Sequence, residues 1–145
     1  YGSFYNGYLK IINPDEYKEL LGESYWDSKK AIPIFTTGFG DIITWEENKY
    51  IILVEYRKNT FDVLQSGFDF FFGDLITISS LVRELDKDLY KDAILRYGSL
   101  EYDECFGFTP LLPLGGKESI DKLQKVKIKP HIDLITQLVG IVGNN

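Results

Sequence analysis

The sequence predicts an α+β fold, an antiparallel meander sheet packed against several short amphipathic helices. Three observations point to it. From Ala31 to about Gln65, short apolar runs are separated by turn pairs, the pattern of consecutive antiparallel strands. Apolar residues elsewhere recur at helical spacing, as in Leu75, Ile78, Val82 and Leu85, and again in Leu89, Ala93, Ile94 and Tyr97. After them comes YGSLEYDECFGFTPLLPLGG, Tyr97 to Gly116, where a helix stop, three acids, the single cysteine and two prolines crowd together. Helix and sheet must meet there.

In chain order, Tyr5-Asn6-Gly7-Tyr8 reads as a tight turn, because Asn-Gly tolerates the positive φ of a hairpin loop, and Tyr8 to Ile12 reads as a strand. A helix follows. Asn13 can cap its free amides, Pro14 suits N1, Glu16 can complete a capping box, Ile12 can staple to Tyr17, and Gly22 is the expected stop. Glu23 to Lys30 reads as a loop or broken helical turn whose Tyr25-Trp26 pair either anchors a partner or folds back over the core edge; the second is the commoner use.

Strands are expected over Ile32 to Thr36, over Phe39 to Glu46 with Phe39, Asp41, Ile43 and Trp45 on one face, and over Tyr50 to Tyr56, which is apolar on both faces and therefore central. Lys58-Asn59 turns the chain into Phe61 to Leu64, completing a meander of three or four strands. Aromatics in FDFFFGDL would line the seam between sheet and helices, Asp74 would cap a helix carrying the first apolar stripe, and Gly98 would end a helix carrying the second. Cys105 to Leu114 reads as extended backbone that Pro110 and Pro113 keep out of a sheet centre. Leu123 to Ile128 is a half-exposed strand, and Pro130 opens a last helix with Leu134, Ile135 and Leu138 inward.

At 145 residues and 44% hydrophobic, the chain can bury a core as one domain over 1–145 without bridges or metals. A lone cysteine forms no internal bridge, which suits a reducing compartment, and with neither a signal pattern nor a long apolar run the default location is cytoplasmic. The chain opens at Tyr1 and holds no methionine, so an upstream segment is expected. Sixteen basic against 22 acidic residues, a net charge of −6, disfavour direct binding of nucleic acid. They fit a basic protein partner, or simply solubility.

Candidate chemistry is sparse. Asp103 and Glu104, beside Glu101, could raise one another's pKa and share acid and base roles, with Asp41 as a further carboxylate. Neighbours on an extended strand point to opposite faces, however, so one structural and one solvated acid is the preferred reading. Gly38-Phe39-Gly40-Asp41 and Gly115-Gly116-Lys117 lack the spacing of a phosphate loop and serve better as turns. Cys105 and His131 could couple only if the fold joins them, and no metal-ligand spacing or cofactor motif is present.

Four blocks together carry a resemblance: GYLKIINPDEY from Gly7, PIFTTGFGDIITW from Pro33, YGSLEYDECFGFTPLLPLGG from Tyr97 and KVKIKPHIDLITQLVG from Lys125. In this order the chain resembles the C-terminal domain of bacterial type VI secretion DNase-immunity proteins, whose members commonly carry an upstream GAD-like domain. The resemblance implies a non-catalytic antitoxin that binds and neutralises a toxin, often a nuclease, and the net charge of −6 suits a basic toxin met through an acidic face. No family contact residue transfers to this chain. Exposure and charge alone nominate Trp26, Asp27, Glu46, Glu47, Glu101 and Asp103 as partner-binding residues. The alternatives are a small ligand-binding domain or acid-dependent hydrolase using Asp103 and Glu104, and a regulatory scaffold module of SUKH type.

Overall fold

The computed structural model of the chain describes residues 3–4, 7–47, 49–66 and 87–143. Among these residues, six strands lie in sequence order in one antiparallel sheet: β1 (Ser3–Phe4), β2 (Leu9–Ile11), β3 (Ala31–Thr37), β4 (Ile42–Glu46), β5 (Tyr50–Glu55) and β6 (Thr60–Ser66). A separate antiparallel ribbon pairs β7 (Glu104–Phe108) with β8 (Leu123–Lys127). The α-helices among the described residues are α1 (Pro14–Ser24), α2 (Lys87–Tyr97) and α3 (Ile128–Val139). This is the expected α+β class. The meander is longer than the three or four strands foreseen, because Leu9–Ile11 pairs with Phe35–Thr37 across the excursion of α1.

Asn13 caps α1 by accepting from the Asp15 amide at 3.0 Å, with Pro14 in the first turn. Gly22 does not stop the helix. Ser24 bonds back to the Leu20 carbonyl and to the Tyr56 hydroxyl, and the helix ends only where Tyr25 turns extended and bridges Val142. Tertiary anchoring here outweighs the local preference of glycine for a helix end.

The expected strand from Phe39 begins instead at Ile42. Residues 38–41 form a turn closed by Thr37 N–H to the Asp41 carbonyl at 3.0 Å, with Gly40 at φ 81°. Phe39 and Asp41 therefore leave the face of Ile43. Phe39 joins Tyr8, Tyr90, Phe106 and Phe108 in an aromatic cluster that also seats α2. β5 is apolar on both faces, as expected: Ile52 and Val54 join the core under α1 and α3, whereas Ile51 and Leu53 join Leu9, Phe35 and Ile43 on the opposite face.

Helix α2 carries the stripe of Ala93, Ile94 and Tyr97 and stops at Gly98, whose φ of 90° and N–H bond to the Ile94 carbonyl at 2.9 Å make it the C′ residue. The helix expected from Asp74 to Leu85, and the aromatic run before it, lie outside the described residues. Extended backbone after Cys105 reaches only Phe108 before bending into a 3-10 turn at Leu112–Leu114.

The phase of the last helix is corrected. α3 starts at Ile128, directly off β8, and buries Ile128, His131, Ile132 and Ile135. Leu134 and Leu138, expected inward, are 47% and 53% exposed. The isoleucine stripe meets Ile42, Val54 and Tyr56 and seats three side chains, each worth about 1.5–3 kcal/mol, where the alternative phase would centre on two leucines. No helix among the described residues is long and apolar enough to cross a membrane.

Candidate partner-binding surface

The six nominated residues fall into two groups. Trp26, Asp27, Glu46 and Glu47 gather where α1 ends beside the β4–β5 turn. Trp26 is half exposed, its ring 6.0 Å from that of Phe61. Glu47 is exposed in a left-handed turn position and pairs with Lys30 at 3.3 Å. Asp27 is half-buried. Glu46 is not the surface acid that was expected. It is 2% exposed, and one of its carboxylate oxygens accepts from the Thr44 hydroxyl at 2.6 Å and the Tyr25 phenol at 3.0 Å. Glu46 shares the inward face of β4 with Ile42, so its position at the strand end does not expose it. Burial raises its pKa, the two donors oppose that rise, and the neighbouring Asp27 carboxyl adds to it.

Glu101 and Asp103 form the second group, both exposed, on the turn that enters β7. Beneath them the Lys10 ammonium, 2% exposed, donates to the carbonyls of Glu101 and Glu104 at 2.6 and 2.7 Å. The Glu104 carboxylate accepts from the Glu101 amide at 2.7 Å, so this acid closes its own turn. Asp103 pairs with Lys127 at 3.0 Å, and that hydrogen bond holds its carboxyl below the usual range. Asp41 is elsewhere, buried against Arg57 at 3.4 Å and accepting from the Thr37 hydroxyl at 3.0 Å. The three carboxylates proposed for acid chemistry each hold a different structural partner.

The fold does bring Cys105 and His131 to one place, since both stand against Gly40. Burial pushes the thiol up to about 12 and the imidazole down. Both shifts favour the neutral forms, and a nucleophilic couple needs the thiolate.

A feature that the nominations did not include lies alongside the β7–β8 ribbon. A cleft of about 570 Å³ opens between Phe108, the Pro110–Leu114 strap, Val126 and α3. Leu114, Leu134 and Leu138, all about half exposed, line it, and His131 contributes to its wall. Sequence reading missed it by assigning the two helix leucines to the core. The signal was present: leucines at i and i+4 form a second apolar stripe beside the isoleucines, opposite a strap rich in proline and leucine.

A family model described as the C-terminal part of T6SS immunity protein Tdi1 matches residues 65–139, a shorter span than the motifs running from Gly7 to Gly140. Among solved structures, Atu4351 from Agrobacterium tumefaciens is similar, with a TM-score of 0.77 at 14% identity, over 94% of this chain and 69% of that one. At that identity the likeness is one of fold. No curated protein sequence matches the chain.

Proposed function

Since the chain belongs to the family of the C-terminal domain of T6SS immunity protein Tdi1, we propose that it binds and neutralises a toxin protein delivered by a type VI secretion system, and that it acts in the cytoplasm of the cell it protects. The observation that carries this reading is the match over residues 65–139, which takes in α2, the β7–β8 ribbon and α3. An inhibitor of this kind requires no chemistry of its own, only a complementary face of roughly 800 Å². The occupied roles of Asp41, Asp103 and Glu104 support binding over acid catalysis.

The net charge of −6 favours a basic toxin, and a nuclease, which must attract phosphate, is the kind of toxin such a charge suits. Trp26, Asp27, Glu47, Glu101 and Asp103 remain candidate contacts on this reading. Glu46, buried and held by Thr44 and Tyr25, leaves the set of contacts. The test is protection: cells lacking their own immunity gene should survive attack by toxin-secreting sister cells when this chain is supplied, and should keep their chromosomal DNA intact. Continued killing by the same sister cells at full expression of the folded chain would contradict the reading.

A further inference from the structure

The cleft is one end of a longer groove. A neighbouring depression, formed in part by Tyr17, Tyr102 and Asp103, shares Lys127 and Pro130 with it. A third shares Glu16, Lys129 and Pro130 with the second and sets four carboxylates, Glu16, Glu19, Glu23 and Asp133, against the single lysine. The cations on this path are engaged, Lys127 with Asp103 at 3.0 Å and Lys129 over the Tyr17 ring at 4.9 Å. The groove thus runs from an apolar end to an acidic end around the start of α3.

We propose that this groove docks a basic amphipathic segment of the toxin, with apolar side chains against Leu134 and Leu138 and lysines or arginines over Glu19, Glu23 and Asp133. The inference rests on the immunity reading and names the face that serves it. Charge complementarity selects the occupant: an uncharged apolar segment would use one end only, and an acidic one would be repelled at the other. His131 is nine-tenths buried, lines the cleft and has no hydrogen-bond partner among the described residues, so it offers the incoming segment a polar contact at the apolar end. Gly107 gives the ring its seat, because a Cβ there would stand 2.7 Å from the His131 Cε1. Every residue lining the cleft falls within the segment that matches the immunity family, whereas Glu16, Glu19 and Glu23 fall outside it.

The experiment places the photo-cross-linking residue p-benzoylphenylalanine at Leu114 or Leu138, and in a separate protein at Trp26, and irradiates each full chain with the purified type VI toxin that the same cell secretes. The expected result is cross-linking from positions 114 and 138 into one lysine- or arginine-rich segment with helically spaced apolar residues. The Leu134→Glu/Leu138→Glu variant, altered only at exposed positions, should keep its near-UV spectrum and bind at least about thirtyfold more weakly. Glu19→Lys/Glu23→Lys should weaken binding less, and chiefly at low salt. Cross-links from Trp26 alone, with affinity indifferent to the leucine variant, would overturn the groove and leave immunity standing. Capture of a neutral or acidic segment, self-association of the chain through Leu138, or a small molecule retained in the cleft in place of toxin would also overturn it. Complete failure to bind the toxin would remove the immunity reading itself.

Discussion

Arg57 holds its guanidinium 3.4 Å from the Asp41 carboxylate, with both side chains almost fully buried. The same guanidinium lies 3.4 Å from Glu55 and 4.8 Å over the Phe39 ring, so one cation fastens the β3–β4 turn to the end of β5. Removing it takes this cation from the buried Asp41 carboxylate, whereas Glu55 keeps Lys58 at 3.6 Å. Arg57→Ala is expected to cost about 3–5 kcal/mol in urea unfolding. Asp41→Asn keeps a side-chain oxygen for Thr37 and should cost less. Equal losses for the two variants would contradict this division of roles.

The buried Glu46 carboxyl makes a pH prediction. Its pKa is raised by burial, so the native state holds that proton more tightly than the unfolded chain does. The stabilisation is therefore complete below the unfolded carboxylate value and is lost as pH rises through the folded one. Glu46→Gln still accepts from Thr44 and Tyr25 but does not titrate. Thermal melts should show the variant more stable than the parent at pH 7, with the difference vanishing near pH 4. Tyr25→Phe, which removes one donor, should cost about 1–3 kcal/mol, most of it at neutral pH.

Two glycines predict opposite outcomes. A Cβ at Gly22 meets nothing within 4 Å, and the residue lies inside α1. Gly22→Ala should stabilise the protein by about 0.5–1 kcal/mol. A Cβ at Gly116 would stand 1.9 Å from the Pro110 carbonyl oxygen, which is backbone and cannot rotate aside. Gly116→Ala should lower the melting temperature and disturb the strap that walls the cleft, and comparing the two melts checks both.

Cys105 is fully buried, with its thiol pushed up to about 12. The folded protein at pH 8 should resist iodoacetamide over hours and react promptly in denaturant. Fast alkylation of the native state would mean an opening at the Gly40–His131 contact that the packing does not allow.

What could be read from the sequence followed local rules. Asn13 with Pro14, Gly98 and the doubly apolar run from Tyr50 each announce a cap, a stop or a two-sided strand through their own chemistry. The turn at residues 38–41, which displaces the strand expected from Phe39, is closed locally between Thr37 and Asp41; the other main misreadings involve distant partners. Glu46 looks like a surface acid until Tyr25, 21 residues earlier, is seen to donate to it. Lys10 finds its carbonyl partners more than 90 residues away. In α3 two apolar stripes satisfy helical spacing equally well, and only contact with Ile42 and Val54 decides that the isoleucines face inward. That decision sends Leu134 and Leu138 to the surface, so the error in reading the fold and the failure to find the cleft have one cause.

The most direct test of the immunity reading is a calorimetric titration of the chain with the purified type VI toxin of the same cell, run at about 50 and 500 mM salt. The account predicts a one-to-one complex that abolishes toxin activity and weakens as salt screens its charges. A toxin that remains fully active beside a saturating excess of folded chain, with no heat of binding at either salt, would contradict it.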